Sequence, residues 1–208
     1  TSNVSHELKT PLTTIYGISD MLVGGIVKPT DIPGFAKNIR DEAGRMITLI
    51  EDIIKLSQLD ENSFADHEET VDILTLAQLA SERLKPAAES KHVTINVTGE
   101  RAEMTGIRSV LEEIVYNLLD NAVKYNREGG RADINVADGE HDITVTVSDT
   151  GIGIPADCID RVFERFFRAD KSHSRKIGGT GLGLSIVKHG VLLHGGNITV
   201  KSTEGTGT

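Results

Sequence analysis

The segment Gly178-Gly179-Thr180-Gly181-Leu182-Gly183-Leu184-Ser185-Ile186-Val187-Lys188 constrains the fold more than any other stretch. Four glycines fall within six residues, and an apolar, helix-compatible run follows. Glycine adopts positive φ readily and lets another backbone or a ligand come close. A glycine turn feeding a helix leaves the first N–H groups unpaired and pointing one way, with the positive end of the helix dipole behind them. Such a turn is either a phosphate cradle or a flexible loop before an ordinary helix. The rest of the chain decides between them.

The 208 residues suggest one large or two small domains. A net charge of −9 argues against a nucleic-acid binder, which needs clustered Lys and Arg. The single cysteine, Cys158, excludes an internal disulfide and suits a structural role in a reducing compartment. No apolar run approaches the ~20 residues of a membrane-crossing helix. No signal peptide is visible, and a start at Thr1 without Met reads as an excised soluble fragment with no membrane contact of its own. His189 and His194 are five apart and Cys158 has no partner, so a zinc site is not expected.

Residues 1–62 read as a helical hairpin. Val4, Leu8, Leu12, Ile15, Ile18 and Leu22 form one helical stripe. His6 lies about 200° around the helix from its neighbours Val4 and Leu8, and so faces solvent. Pro11 removes the N–H that would bond the carbonyl of Glu7 and is expected to bend the helix. A second helix over Pro33–Asp60 carries a heptad seam through Phe35, Ile39, Met46, Leu49, Ile53 and Leu56. Two helices cannot enclose a core alone, so pairing of two such hairpins into a homodimeric four-helix bundle is expected. Around His6, the segment Ser5-His6-Glu7-Leu8-Lys9-Thr10-Pro11 sets a carboxylate beside an imidazole and a hydroxyl one turn on. A neutral imidazole has a free lone pair that can attack phosphorus, Glu7 can take its other proton, and Thr10 can position a water. A solvated surface histidine is the plain alternative.

Residues 63–70 are polar and read as a short joint between domains. Residues 71–208 read as an α/β module. Short strands are expected at Val71–Ile73, His92–Thr98, Ala132–Val136, Asp142–Ser148 and Asn197–Lys201, with helices over Leu74–Glu89, where Pro86 marks a kink or end, and Gly106–Tyr125. This order implies a mixed, mainly antiparallel sheet covered by helices on one face. Asn117 and Asn121 share a helix face, suitable for Mg²⁺, with Lys124 nearby. Asp149-Thr150-Gly151-Ile152-Gly153 follows a strand, and Asp149 can accept from an exocyclic amine. Over residues 161–176, six basic residues stand against two acidic ones, a +4 island in an acidic chain. Each of these features, taken alone, also fits an ordinary polar surface.

Together they resemble the catalytic core of the two-component sensor histidine kinases. Ser5–Pro11 resembles the family's H box, Asn117–Tyr125 the N box, and Asp149–Ile154 the first glycine box. Phe163–Arg168 resembles the F box, and Gly179–Leu184 the second glycine box. The motifs come in the family's order and span nearly the whole chain. The resemblance implies a dimerisation and histidine-phosphotransfer hairpin (1–62), a linker (63–70) and an α/β sandwich ATP-binding domain (71–208) of the type shared with gyrase and heat-shock chaperone ATPases. It implies that His6 is phosphorylated from Mg·ATP and passes the group to an aspartate of a response-regulator receiver domain. Glu7 would be the base, and Thr10 would assist dephosphorylation of the partner. Asn117 and Asn121 would serve Mg²⁺ and phosphate. Lys124, Arg168, Thr180 and the Gly179, Gly181, Leu182, Gly183 and Leu184 segment would serve the phosphates. Asp149, with Gly151 and Gly153, would read adenine, and Tyr125 would pack near the base. The fragment would be the cytoplasmic part of a membrane-anchored bacterial sensor.

Some features depart from the family pattern. Met104-Thr105-Gly106-Ile107-Arg108 lacks the usual helix-start carboxylate, leaving Thr105 as the expected cap. Gly190 interrupts the last helix, and the family pattern continues into another strand past Thr208, so either the sheet lacks an edge or the end of the chain is disordered. Hydrolytic ATPases of the same fold carry a water-activating glutamate four residues before the Mg²⁺ asparagine. Here that position is Asn117, which cannot act as a base. A catalytically inactive dimeric scaffold is the non-enzymatic alternative.

Overall fold

The computed structural model describes residues 2–61, 68–169 and 179–208. Most of the joint, the basic residues after Ala169 and Gly178 lie outside the described residues. Two helices, α1 (Ser2–Val23) and α2 (Ile32–Glu61), form the hairpin. The α1 helix is one continuous element with Pro11 inside it. Val4, Leu8, Ile15, Ile18 and Leu22 are half-buried toward α2, and Leu49, Leu56 and Leu59 of α2 are buried. Other apolar side chains of the hairpin remain outside: Leu12, Tyr16, Ile47, Ile50 and Ile54 are each more than 40% exposed.

The second module opens with β1 (Glu69–Asp72), which begins inside the span read as a joint, and α3 (Ile73–Ser90). Asp72 caps α3. Its carboxylate accepts from the Leu74 N–H at 3.1 Å and the Thr75 hydroxyl at 2.7 Å, and this last bond chiefly holds its pKa below the usual range. Pro86 does not end α3; one further turn follows it. Then come β2 (Thr94–Gly99), β3 (Glu103–Gly106), α4 (Arg108–Lys124), β4 (Arg131–Asp138), β5 (Ile143–Asp149), a 3₁₀ turn (Ala156–Arg161) and α5 (Gly183–Leu193). β3 has one apolar residue, Met104, so alternation could not announce it; it pairs antiparallel with β1.

The main sheet has the order β2-β4-β5, with β2 parallel and β5 antiparallel to the central β4. Ala132, Ile134 and Val136 of β4 are fully buried on the side covered by α3 and α4, and Asp133 and Asn135 alternate on the other face. There Asn96 donates to Asp133 at 2.7 Å and Asn135 to Thr98 at 2.9 Å, a polar surface of cross-strand pairs.

Two expectations are corrected. Residues 197–201 are not a strand. Ile198 and Val200 keep the alternating burial, but no ladder partner lies beside them among the described residues; the closest feature is an isolated bridge, Thr203 to Gly207. Thr105 does not cap α4, because β3 has taken it up. The cap position is Ile107, and its N–H donates to Nε2 of His194 at 3.1 Å. That fixes the tautomer: Nδ1 carries the proton and donates to the Gly190 carbonyl at 2.7 Å. Gly190 itself lets α4 and α5 close on one another. A Cβ there would stand 2.9 Å from Val110 Cγ1 and 3.0 Å from Ile114 Cδ1, so those side chains would have to give way. The helix-propensity cost of about 1 kcal/mol is accepted for that packing.

Candidate active site

Four of the sequence constellations meet at one end of α4. The Asn117 amide donates to the Glu113 carbonyl at 2.8 Å, which turns its oxygen toward the second glycine box. A Cβ on Gly183 would lie 2.8 Å from that oxygen, so any larger residue there would have to displace the Asn117 amide. One turn on, the Asn121 side chain is half-buried and makes no hydrogen bond among the described residues. Lys124 is drawn to Asp120 at 2.6 Å. The Tyr125 hydroxyl borders Gly179, where a Cβ would meet it at 3.1 Å, and the Tyr125 carbonyl accepts from Ile152 N–H at 3.1 Å. Asp149 accepts from Gly151 N–H at 2.7 Å, and burial pushes its carboxyl above the usual range against that bond. Gly153 (φ 68°) and Gly181 (φ 75°) need glycine's conformational freedom. Gly181 crosses the F box, where Phe166 donates its N–H to the Gly181 carbonyl at 2.8 Å and itself holds φ 65°. Leu182 is fully buried beneath this crossing, with half-buried Leu184 just beyond it on α5.

Asn126 is a residue the sequence did not single out. It is buried at the end of α4, and every polar valence of its amide is used. Its nitrogen donates to the Ala122 and Arg131 carbonyls, both at 2.9 Å. Its oxygen accepts from the Arg127 N–H at 3.0 Å and the Thr150 hydroxyl at 3.3 Å. This amide fixes Tyr125 against the Asp149–Gly153 turn. Asn126→Ala would leave those groups unpaired, at a cost of about 2 kcal/mol, and is expected to lower the thermal midpoint by roughly 4–8 °C. An unchanged midpoint in calorimetry would contradict this role.

The hairpin reaches the same region. His6 is exposed, and the Thr10 hydroxyl donates to the His6 carbonyl at 3.2 Å. Glu7 lies 3.8 Å from Nη2 of Arg168, a group that also donates to the Gly179 carbonyl. Along α2, Asp52 accepts from the Thr180 hydroxyl at 2.6 Å and Lys55 pairs with Glu113 at 2.6 Å. Asp60 holds Arg165 through both carboxylate oxygens at 2.7 and 2.8 Å, and His189 Nδ1 at 3.3 Å. None of these α2 residues was expected at the site. Their partners lie far away in the chain, and local periodicity carries no trace of them.

Two family models match the chain: the His Kinase A (phospho-acceptor) domain over residues 1–62, and the histidine kinase-, DNA gyrase B- and HSP90-like ATPase over residues 106–208. The solved mycobacterial sensor histidine kinase MprB is 34% identical, covering 62% of this chain and 81% of its own, with a TM-score of 0.53. The chain belongs to the sensor histidine kinase family. The sensor histidine kinase WalK of Bacillus subtilis is 38% identical over 211 residues, the whole of this chain and 34% of its own length, so this chain spans about a third of that relative. The histidine kinase ThkA, solved in complex with response regulator protein TrrA, shares the fold: its TM-score is 0.66 at 20% identity, covering 81% of this chain and 50% of its own. Among the described residues of this histidine kinase core, no helix is long and apolar enough to cross a membrane.

Proposed function

We propose that this kinase core transfers the γ-phosphoryl group of ATP to His6 and from there to an aspartate on a response-regulator receiver domain. The observation that supports the reading is that Asn117 and Tyr125 border the second glycine turn at Gly183 and Gly179, that Tyr125 and Asp149 border the first at Gly151, and that His6 is exposed on the hairpin. An imidazole nitrogen forms the N–P bond as the bond to the ADP oxygen breaks, and Glu7 receives the proton from the other nitrogen. Asp149 reads the adenine amino group. The glycine turn at the start of α5, Thr180, Lys124 and Arg168 take the phosphates. Such transfers depend on position and charge more than on covalent help.

The Mg²⁺ that accompanies ATP fits the oxygen-donor set of Asn117 and Asn121, whose amides lie on one face of α4. When bound it supplies positive charge to the triphosphate. Thr10, one turn past His6 on the exposed side of α1, suits removal of phosphate from the receiver domain. The exposed apolar set Leu12, Tyr16, Ile47, Ile50 and Ile54 suits burial in a homodimeric four-helix bundle. The 1–62 and 71–208 units act as two domains around the 63–70 joint. A response-regulator partner accords with the family and with the ThkA complex.

With γ-labelled ATP and Mg²⁺, the chain is expected to become labelled and to lose label to an added receiver domain. Release of free phosphate without labelling of either protein would favour a hydrolytic ATPase instead.

A further inference from the structure

The hairpin and the ATP-binding module meet through pairs of two kinds. Lys55–Glu113 at 2.6 Å and Asp60–Arg165 at 2.7 Å join groups without an assigned part in holding nucleotide. The other two pairs differ. Thr180 stands between Gly179 and Gly181, and its hydroxyl donates to Asp52 Oδ2 at 2.6 Å while accepting from Leu182 N–H at 3.3 Å. Its single proton is therefore committed to Asp52. Arg168, the F-box cation, faces the Glu7 carboxylate at 3.8 Å. Thr180 thus holds a hairpin carboxylate from α2, and Arg168, bonded to the Gly179 carbonyl, faces a second one from α1.

We propose that Asp52, seconded by Glu7, is an internal anion standing in for nucleotide phosphate, so that docking of the hairpin and binding of ATP exclude one another. This rests on the ATP-site reading above. A carboxylate and a phosphate oxygen make the same demand on a hydroxyl proton and a guanidinium. Two anions cannot share Thr180 without repulsion in a partly desolvated site. Burial also leaves the Asp52 carboxylate poorly solvated: its pKa is raised by desolvation, against the Thr180 bond and the Lys55 charge, with Glu113 adding to the rise and Lys124 opposing it. The docked carboxylate is thus held at a cost that its release removes. Coupling between two sites is reciprocal, so whatever factor docking takes from nucleotide affinity, nucleotide takes from docking. Nucleotide entry at Thr180 would in this way free the ATP-binding module from α2, as it must be freed if it is to approach His6.

The test is equilibrium binding of Mg·ADP and of a non-hydrolysable ATP analogue to the 208-residue chain and to Asp52→Asn, which removes the charge and keeps the shape. Asp52→Asn is expected to bind both about 10-fold more tightly. In wild type, saturating analogue is expected to enlarge the radius of gyration measured by X-ray scattering, a readout that depends on no variant. Unchanged or weaker affinity in a folded Asp52→Asn, or no expansion of the wild type, would overturn the proposal while leaving the ATP site intact. A wild type that binds no adenine nucleotide would remove both.

Discussion

His6→Gln is expected to reduce phosphoryl labelling of the chain to background while leaving nucleotide affinity and thermal midpoint at wild-type values. Glutamine has no lone-pair nitrogen able to attack phosphorus, so the nucleophile is lost outright. The rest of the molecule is spared because His6 is exposed and the bond recorded at that residue runs to its backbone carbonyl, from Thr10. The same substitution separates the family's chemistry from its relatives' hydrolysis: an ATPase that activates water would not notice the change. Labelling equal to wild type in His6→Gln would move the phosphoacceptor to another residue.

The second large effect is at Asn121. Its amide is half-buried at the site and bonds to no other described residue, so the fold does not need it. A half-buried amide on the same helix face as Asn117 suits a ligand. Asn121→Ala is expected to slow autophosphorylation about 100-fold, the usual effect of removing one positioned charge-stabilising group, with no loss of thermal stability. Measured initial rates at saturating Mg·ATP test this. A rate within a few-fold of wild type would exclude Asn121 from the metal and phosphate set. Asn117 is a less clean target, because its amide also bonds Glu113.

The local chemistry of the chain was largely legible in its sequence. The period of the apolar residues located α1 to α4, and alternation located β2, β4 and β5 to within a few residues, because each of these elements buries one face. Short motifs located the glycine turns, where only glycine meets the backbone's demand at Gly153 and Gly181. Elements without a buried face of their own escaped: β3 offers only Met104, and residues 197–201 alternate without a ladder. Long-range polar partners escaped for a different reason. Nothing near Thr180 signals Asp52, 128 residues earlier, and nothing near Ile107 signals the His194 ring that accepts its N–H. The first is decided by how α2 packs, with Leu49, Leu56 and Leu59 buried, and the second by how α4 and α5 close at Gly190, rather than by any motif. Each such buried leucine contributes about 1.5–3 kcal/mol, enough to set the geometry that the polar pairs then occupy.

This division bears on mechanism. On the proposed reading, the motifs name the groups that would hold ATP, and the path from ATP to His6 requires the ATP-binding module to leave its contact with α2. The glycine turn at Thr180 is where the two meet, engaged with α2 through Asp52 in the arrangement described here.

The most direct test of the account is the chemistry of the bond formed when the chain is incubated with Mg²⁺ and γ-labelled ATP. A phosphorus–nitrogen bond is expected: label that is lost in acid, survives base, and maps by peptide mass spectrometry to the fragment holding His6. Acid-stable label, label on a fragment without His6, or none at all would contradict it.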